Sequence, residues 1–179
     1  MECLFVALLI VSLGCGWLEA KFYVDQQQAI QQTFPASARV ARKTLFLTQA
    51  QTERIQHVAR ARLDSSIITY YVGESTGGVV GTVFFDRRTV RTMLVTYMVV
   101  VTPQGAVDHV EVLSFDEPDD YLPPLRWLGL YKGRRLDDDL SIGRGIPRMT
   151  GATLSSQAMN DGIRLCLAIY DVAIKGAAK

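Results

Sequence analysis

The sequence predicts an α+β fold, in which helices pack on a twisted, mostly antiparallel sheet. Two helical patterns come first, four segments rich in β-branched and aromatic residues follow, and a long amphipathic segment comes last. The 179 residues, 49% of them hydrophobic, suffice for one sizeable core. Because no repeat or low-complexity linker divides the chain, we expect a single domain over residues 21–179.

The first twenty residues predict an export signal. An apolar run of 15 residues extends from Leu4 to Leu18, and it is shorter than the ~20 residues of a membrane-spanning helix. Ala20 is the small residue that a signal peptidase prefers, although no basic residue precedes the apolar run. We therefore expect cleavage after Ala20 and a location in the periplasm or on the outer face of the cytoplasmic membrane. Lipid attachment at Cys15 and a retained anchor are the alternatives.

Cleavage would also change the charge and the cysteine count. Residues 1–20 hold two acidic residues and no basic one, so the remaining 159 residues carry 19 Lys and Arg against 16 Asp and Glu. A net charge of +3 is too small to indicate nucleic-acid binding. Cys166 is then the one cysteine left, so no internal disulfide is expected. Its place in an apolar helical pattern predicts a small core residue.

Two helices are predicted ahead of the sheet. The first runs from Asp25, its cap, to Phe34, and the proline that follows ends it. The second begins at Thr48 and runs to about Leu63 with one apolar face. Between the two helices we predict a short apolar piece, Thr44–Leu47.

Four strands are predicted next, because the apolar pattern changes to runs of β-branched and aromatic side chains. The turn Thr102–Gly105 contains Pro and Gly and predicts a hairpin between the last two strands. A short helix (Leu122–Leu130), a polar glycine-containing loop (Lys132–Arg148) and the longest helix (Ser155–Ile174) follow. The predicted strands are Ile67–Val72, Val79–Phe85, Met93–Val101 and Ala106–Phe115.

A small, hydroxyl-rich turn, TGATLSSQAMNDG at residues 150–162, lies just before the longest helix. A helix N-terminus offers unpaired backbone N–H groups and the positive end of the helix dipole, which together attract phosphate. Gly151 lets the backbone bend and a ligand approach closely. The pattern predicts a phosphate seat with the Thr153 hydroxyl at its centre. The alternative is a simple helix cap by Thr153 or Ser155.

The residues TGATLSS resemble the flavin-attachment motif of the FMN-binding domain family, found in Rnf-type and Nqr-type electron-transport complexes and in periplasmic flavoproteins. In that family the threonine that closes Ser/Thr-Gly-Ala-Thr is esterified to the phosphate of FMN, and here that threonine is Thr153. The family usually has an aspartate six residues earlier, where this chain has Pro147. The cofactor-binding residues that the motif and its surroundings indicate are Thr153, Thr150, Gly151, Ala152, Ser155, Ser156 and Arg148.

The resemblance implies an exported flavoprotein that carries electrons through covalently attached FMN. A separate flavin transferase would make the ester, and a membrane redox complex or other electron carriers would be the partners. An electron-transfer flavoprotein is expected rather than a stand-alone enzyme. Two alternatives stay open: a flavin-containing sensory or accessory module, and a non-catalytic binding domain that has lost the flavin.

Contacts to the flavin ring are indicated only by nearness to the motif. The aromatic and apolar candidates for contact with the ring, for which core packing is the alternative, are Tyr121, Trp127, Leu130 and Tyr131. The basic candidates for the phosphate or the pyrimidine edge of the flavin are Arg126, Lys132 and Arg148. Arg148 is the first choice among the basic residues, because it lies five residues before Thr153. The acidic runs lack the spacing of a calcium loop, and His57 and His109 have no partner cysteine or histidine pattern, so no metal site is expected.

Overall fold

The computed structural model describes residues 21–22, 24–136 and 138–175. The export signal predicted at residues 1–20 lies outside the described residues, so cleavage, lipid attachment and anchoring stay predictions. No helix in the described ranges is long and apolar enough to cross a membrane.

One six-stranded sheet organises the described residues, and it confirms the predicted α+β class. Its strands are β1 (Lys21–Phe22), β2 (Arg39–Phe46), β3 (Ile67–Ser75), β4 (Gly78–Val90), β5 (Met93–Val101) and β6 (Val107–Phe115). They lie in the order β1-β6-β5-β4-β3-β2, and each neighbouring pair runs antiparallel. Among the strands, β4, β5 and β6 supply most of the buried side chains, because both of their faces are covered by helices.

The α-helices of the described chain are α1 (Gln26–Thr33), α2 (Gln49–Ala59), α3 (Leu125–Leu128) and α4 (Thr153–Ile169). A π-helical turn, Tyr170–Ile174, continues α4 to the end of the predicted helix. Thr48 begins α2 with a complete capping box: its hydroxyl accepts from Gln51 N at 3.2 Å, and the Gln51 side chain accepts from Thr48 N at 2.9 Å.

The strand β2 corrects the prediction of a short apolar piece at Thr44–Leu47. The strand begins five residues earlier, at Arg39, and it forms an outer edge of the sheet with β3 as its neighbour. Most of its side chains are exposed, and several are basic. An edge strand of this kind lacks the apolar alternation by which half-buried strands are recognised.

Several further boundaries differ from the prediction. The short helix predicted over Leu122–Leu130 is limited to α3, Leu125–Leu128, and β3 continues past Val72 to Ser75. The helix α2 ends at Ala59 rather than near Leu63, because Arg60 adopts a left-handed conformation with φ of 52°. The strand β4 continues past Phe85 to Val90, because its polar second half stays paired with β5.

Two apolar cores lie on opposite faces of the sheet. On one face, α1 places Ile30 and Phe34 against side chains of β4, β5 and β6. The Phe34 ring fills the space above Gly73 and Gly81, and a Cβ at Gly73 would lie 2.5 Å from that ring. On the other face, α2, α3 and α4 cover the larger core. The molecule therefore has three layers, with the candidate turn at the start of α4 on the larger-core side.

The helix α4 is buried along most of its length, which confirms the apolar face predicted from its periodicity. Met159, Ile163 and Leu167 are fully buried, and Cys166 and Tyr170 are nearly so. A helix packed along most of its length anchors its own N-terminus, and with it the turn at residues 150–153.

Truncating Met159 or Ile163 to alanine is expected to destabilise the domain by about 2–5 kcal/mol, because each change leaves a cavity in a packed core. Urea unfolding followed by circular dichroism measures this free energy. A change below about 0.5 kcal/mol at both positions would place this face of α4 in solvent and contradict the packing.

The helix α4 lies directly against the sheet at Gly162. The Tyr97 hydroxyl donates to Asp86 Oδ2, and Arg88 Nε donates to the same oxygen at 2.8 Å. A Cβ at Gly162 would overlap both the Tyr97 hydroxyl oxygen and Asp86 Oδ2. Glycine is therefore required for the helix to lie on this polar group of β4 and β5.

Cys166 is expected to resist thiol reagents in the native protein. It is a buried free thiol, as predicted, and burial together with the nearby Asp86 carboxylate raises the pKa of Cys166 well above its usual range. Labelling at pH 8 should occur only after denaturant is added, as mass spectrometry would show. Fast labelling of the folded protein would contradict the placement of α4.

Candidate functional site

The loop that leads to α4 is held by its own hydrogen bonds and by buried side chains. Leu140 and Ile146 are fully buried, and Gly143 N donates to Ile146 O at 2.8 Å. A side chain at Gly145 would overlap the backbone of the loop itself. The irregular segment predicted over Lys132–Arg148 is confirmed, and it delivers the chain to the turn in a defined conformation.

The turn before α4 is open on its outer side. Thr150 and Gly151 are exposed, and Gly151 has a φ of +89°, a conformation that glycine adopts without steric cost. No heavy atom lies within 4 Å of the position that a Cβ on Gly151 would occupy. Ala152 turns inward and is 2% exposed, so it fixes the turn to the core.

Thr153 is the first residue of α4, and its side chain is exposed. Its hydroxyl donates to Met149 O at 2.7 Å across the turn, which leaves the oxygen lone pairs accessible. The cap position belongs to Ala152, whose side chain has no oxygen, so the alternative of a helix cap by Thr153 or Ser155 is wrong. The hydroxyl of Thr153 therefore has no capping role.

The backbone at the head of α4 offers hydrogen-bond donors. The first bond of the helix is donated by Ser156 N to Ala152 O at 2.9 Å, so the N–H groups of Thr153, Leu154 and Ser155 precede the helical ladder. Together with the helix dipole they favour a negative group beside Thr153. No acidic residue of the described chain lies in this first turn to oppose it.

The two serines of the motif are buried, each with 1% of its surface exposed. Ser156 Oγ donates to Thr153 O at 3.0 Å and so braces the first turn of the helix. Ser155 Oγ is a buried hydroxyl oxygen with no hydrogen-bond partner among the residues that the structure describes. A buried polar atom of this kind is uncommon and marks a place where a ligand or water completes the structure.

Arg148 and Pro147 lie on the approach to the turn, and both are exposed. The guanidinium of Arg148 extends over Gly143, where a Cβ would lie 3.1 Å from Arg148 Nε. The Pro147 carbonyl accepts a hydrogen bond from Trp127 Nε1 at 3.1 Å. Pro147 stands where the resembling family has an aspartate, and its main-chain carbonyl connects this position to Trp127 of α3. Nothing in the sequence pattern indicates this bond, since Trp127 lies twenty residues before Pro147.

The ring-contact candidates divide into buried and exposed groups. Trp127 and Tyr131 pack edge to face with centroids 5.2 Å apart, and both belong to the core, which confirms the packing alternative for them. Tyr131 donates to Asn160 Oδ1 at 2.9 Å, and burial raises the pKa of its hydroxyl. Tyr121 is half-buried and lies under the Arg91 guanidinium, 4.4 Å from its ring centroid.

Three exposed leucines lie on α4, on α3 and on the short turn that follows α3. Leu154 of α4 is 54% exposed, and Leu125 of α3 is 81% exposed. Leu130, one of the predicted ring candidates, is 38% exposed. Arg126 and Lys132 are also exposed, so both remain available to an anionic group. The exposure of Leu125 and Leu154 carries no signal in the sequence, because a leucine in a helical segment is usually buried.

The largest of the described cavities lies away from this turn. It has a volume of about 880 Å³ and lies between α2 and the C-terminal end of α4, and none of its lining residues belongs to the motif. We place the candidate site at the turn because the chemistry is there: an exposed hydroxyl, unpaired N–H groups and a glycine that leaves room for a ligand.

The fold and the turn together define a class of protein: α+β domains in which an antiparallel sheet carries a long C-terminal helix. Among solved structures, the chain is similar to the crystal structure of Shewanella oneidensis NqrC, with a TM-score of 0.53 and 15% identity, over 83% of this chain and 87% of that chain. This likeness shows a shared fold. No family model and no curated protein matches the sequence.

Proposed function

We propose that this chain is an exported flavoprotein that carries electrons through FMN, held as a phosphate ester on Thr153. The observation that carries the proposal is the exposed Thr153 hydroxyl at the head of α4, within a flavinylation-like motif. The fold shared with NqrC supports it, since Nqr-type complexes are among those in which the resembling family occurs.

The residues present fit a phosphate at this position. The N–H groups of the first turn of α4 and the positive end of the helix dipole favour the phosphate oxygens. The space beside Gly151 admits them, and Arg148 lies on the approach with its charge exposed. The buried hydroxyl of Ser155 has no hydrogen-bond partner among the described residues, and it would donate a hydrogen bond to the phosphate. Roles for Thr150, Ala152, Ser155 and Ser156 in binding are part of the proposal.

The ester requires a separate enzyme. Nothing in the described first turn of α4 can take a proton from the Thr153 hydroxyl, which instead donates to a backbone carbonyl. We propose that a flavin transferase supplies the base and a metal ion for the phosphates. The Thr153 oxygen would bond to the phosphorus of the FMN half of FAD, the P–O–P bond would break, AMP would leave, and the hydroxyl proton would pass to the transferase.

A covalent bond suits an exported carrier. A merely bound cofactor would be diluted outside the cytoplasm, whereas the tether keeps it at a high effective concentration at its pocket. FMN supplies one- and two-electron chemistry when bound, and the chain supplies position and charge. A membrane redox complex or another electron carrier would exchange the electrons.

Co-expression with a flavin transferase tests the proposal, and we expect the intact mass of the purified protein to increase by one FMN ester. A Pro147→Asp variant restores the aspartate of the resembling motif. It also keeps the bond from Trp127, because the acceptor there is the main-chain carbonyl. If the wild-type protein lacks flavin while Pro147→Asp carries it, the domain folds correctly but the transferase no longer recognises the wild-type motif.

Unmodified mass for both proteins would contradict the proposal. It would favour the second candidate, a binding domain of this fold that has lost the flavin, which the proline at position 147 supports.

A further inference from the structure

The strand β2 leaves one edge of the sheet open. It is the last strand in the order of the sheet, and β3 is its one neighbour among the described strands. All of Arg39–Phe46 pairs with β3 in one continuous register, with no bulge and no proline. Proteins commonly protect such edges by shortness, bulges, proline or charge, and of these devices β2 has only charge. Its outer backbone groups can therefore pair with another strand.

One hydrogen bond, from Leu47 N to Ser66 O at 2.8 Å, indicates which backbone groups of β2 face outward. Leu47 lies opposite Ser66 in the register that pairs Phe46 with Ile67, so these two residues form a hydrogen-bonded pair. Hydrogen-bonded and non-hydrogen-bonded pairs alternate along an antiparallel ladder. The residues whose N–H and C=O groups point away from β3 are therefore Val40, Arg42, Thr44 and Phe46.

A groove runs beside this edge, between β2 and α1. Val40 and Arg42 line it together with Tyr71, which lies opposite Arg42 in β3. The Tyr71 ring packs edge to face on Phe85 with centroids 5.6 Å apart, so its position is fixed. The groove has a volume of about 510 Å³, and its lining residues from α1 carry no charge: Gln26, Gln27, Ile30 and Gln31. A strand added to β2 would direct side chains into this groove, because directly opposed residues share a face of the sheet.

An exposed apolar pair lies on the same face of the sheet, at the end of β2. Phe46 is 71% exposed, and Ile67, directly opposite it in β3, is 54% exposed. Phe46 comes four residues after Arg42, so the two side chains project from the same face of β2. Two large apolar side chains next to each other beside an open edge favour a partner that covers them.

The charge of the edge is basic. Arg39, Arg42 and Lys43 are exposed, and β2 has no acidic residue. The Lys43 ammonium is 3.5 Å from a carboxylate oxygen of Glu74, whereas neither arginine forms an ion pair within the described ranges. A second copy of β2 would bring three more basic side chains to this edge, which disfavours pairing between two copies. An acidic segment has the complementary charge.

We propose that β2 binds an extended acidic segment of a partner protein, which adds to the sheet as a strand antiparallel to β2. The outward backbone groups of β2 would supply affinity, and the side chains on the α1 face would supply specificity. The segment would have an acidic residue opposite Arg42 and apolar residues opposite Val40 and Phe46. The proposal is independent of the flavin, because neither β2 nor the groove includes a residue of the turn at Thr153.

The peptide acetyl-Phe-Thr-Val-Thr-Glu-Thr-Leu-amide tests the proposal, because its Phe, Glu and Leu have the spacing that this alignment requires. Titrated into the isotope-labelled full chain, it should shift the backbone amide NMR signals of the outward-facing residues of β2. The same amides should become protected from hydrogen exchange. A peptide with Lys in place of Glu should bind about tenfold more weakly.

N-methylated peptides separate strand pairing from simple charge attraction. In the proposed alignment the N–H of the peptide Val donates to Thr44 O, whereas the N–H of the second peptide Thr points away from β2. Methylation at Val should abolish binding, and methylation at the second Thr should change the affinity by less than about twofold. Equal affinities of the two methylated peptides would overturn the proposal.

Thr44→Pro should abolish binding and leave the sheet folded, because proline is tolerated in an edge strand where the N–H faces outward. Thr44→Ala is its control and should bind as the wild-type protein does. Arg42→Gln should lower the affinity about fivefold. Arg144→Gln, at an exposed arginine in the loop before α4, should leave the affinity unchanged. An equal loss with Arg144→Gln would overturn the proposal, because the effect would then be one of net charge.

The absence of any shift on titration would overturn the proposal too, and would assign the basic residues of β2 to keeping the edge unpaired. Shifts of the same amides with protein concentration alone, without peptide, would overturn it in favour of a second copy of the chain.

Discussion

Thr153→Ala is expected to abolish covalent flavin, the largest effect on the proposed function that a single substitution should have. The ester needs one hydroxyl at the head of α4, and Thr153 supplies it from an exposed side chain. The variant should still fold, because the hydrogen bond it loses, to Met149 O, is exposed and contributes about 1 kcal/mol or less. Co-expression with the transferase, followed by in-gel fluorescence of the denatured protein, measures attachment.

Thr150→Ala is the matched control, since it removes the same exposed side chain three residues earlier. We expect it to slow attachment without abolishing it. Thr153→Ser should retain part of the modification, because it keeps the oxygen and loses only a methyl group. Fluorescence that persists in Thr153→Ala would show that another residue is the acceptor, with Thr150 the next candidate.

Gly162→Ala is expected to destabilise the domain by about 2–4 kcal/mol. The added methyl group would overlap the Tyr97 hydroxyl and Asp86 Oδ2, so the helix must move or the partly buried hydrogen bond must break. In an isolated helix, alanine is more favourable than glycine by about 1 kcal/mol. The sign of the change in unfolding free energy therefore shows whether the steric overlap or the helix propensity has the larger effect. Urea unfolding measures it.

Gly129→Ala provides the comparison, because no atom lies within 4 Å of the added Cβ and its φ of −61° suits any residue. We expect a change within about 0.5 kcal/mol. Wild-type stability in Gly162→Ala would mean that α4 does not lie against β4 and β5 as closely as the structure has it.

Elements with a strong periodic signal were predictable from the sequence. The strand β5 has the predicted bounds, Met93–Val101, since an unbroken run of β-branched and aromatic residues leaves little choice. The buried face of α4 follows from its helical spacing in the same way. The strand β2 was missed because it is defined by its hydrogen bonds to β3, and its exposed basic residues carry no apolar signal.

The candidate site also has a part that is predictable from the sequence and a part that is not. The turn at Thr153 was predictable because its residues are contiguous and chemically distinctive. The bond from Trp127 to the Pro147 carbonyl was not, because it depends on segments that only the fold brings together.

The exposure of Thr153 bears on the order of events in the life of the protein. Its hydroxyl lies on the surface while the helix behind it is packed into the core, so a flavin transferase would reach this proposed acceptor without opening the domain. Folding and modification therefore need not compete in time. A chain that crossed a membrane unfolded could fold first and be modified afterwards, and only chains with an intact turn would then be modified.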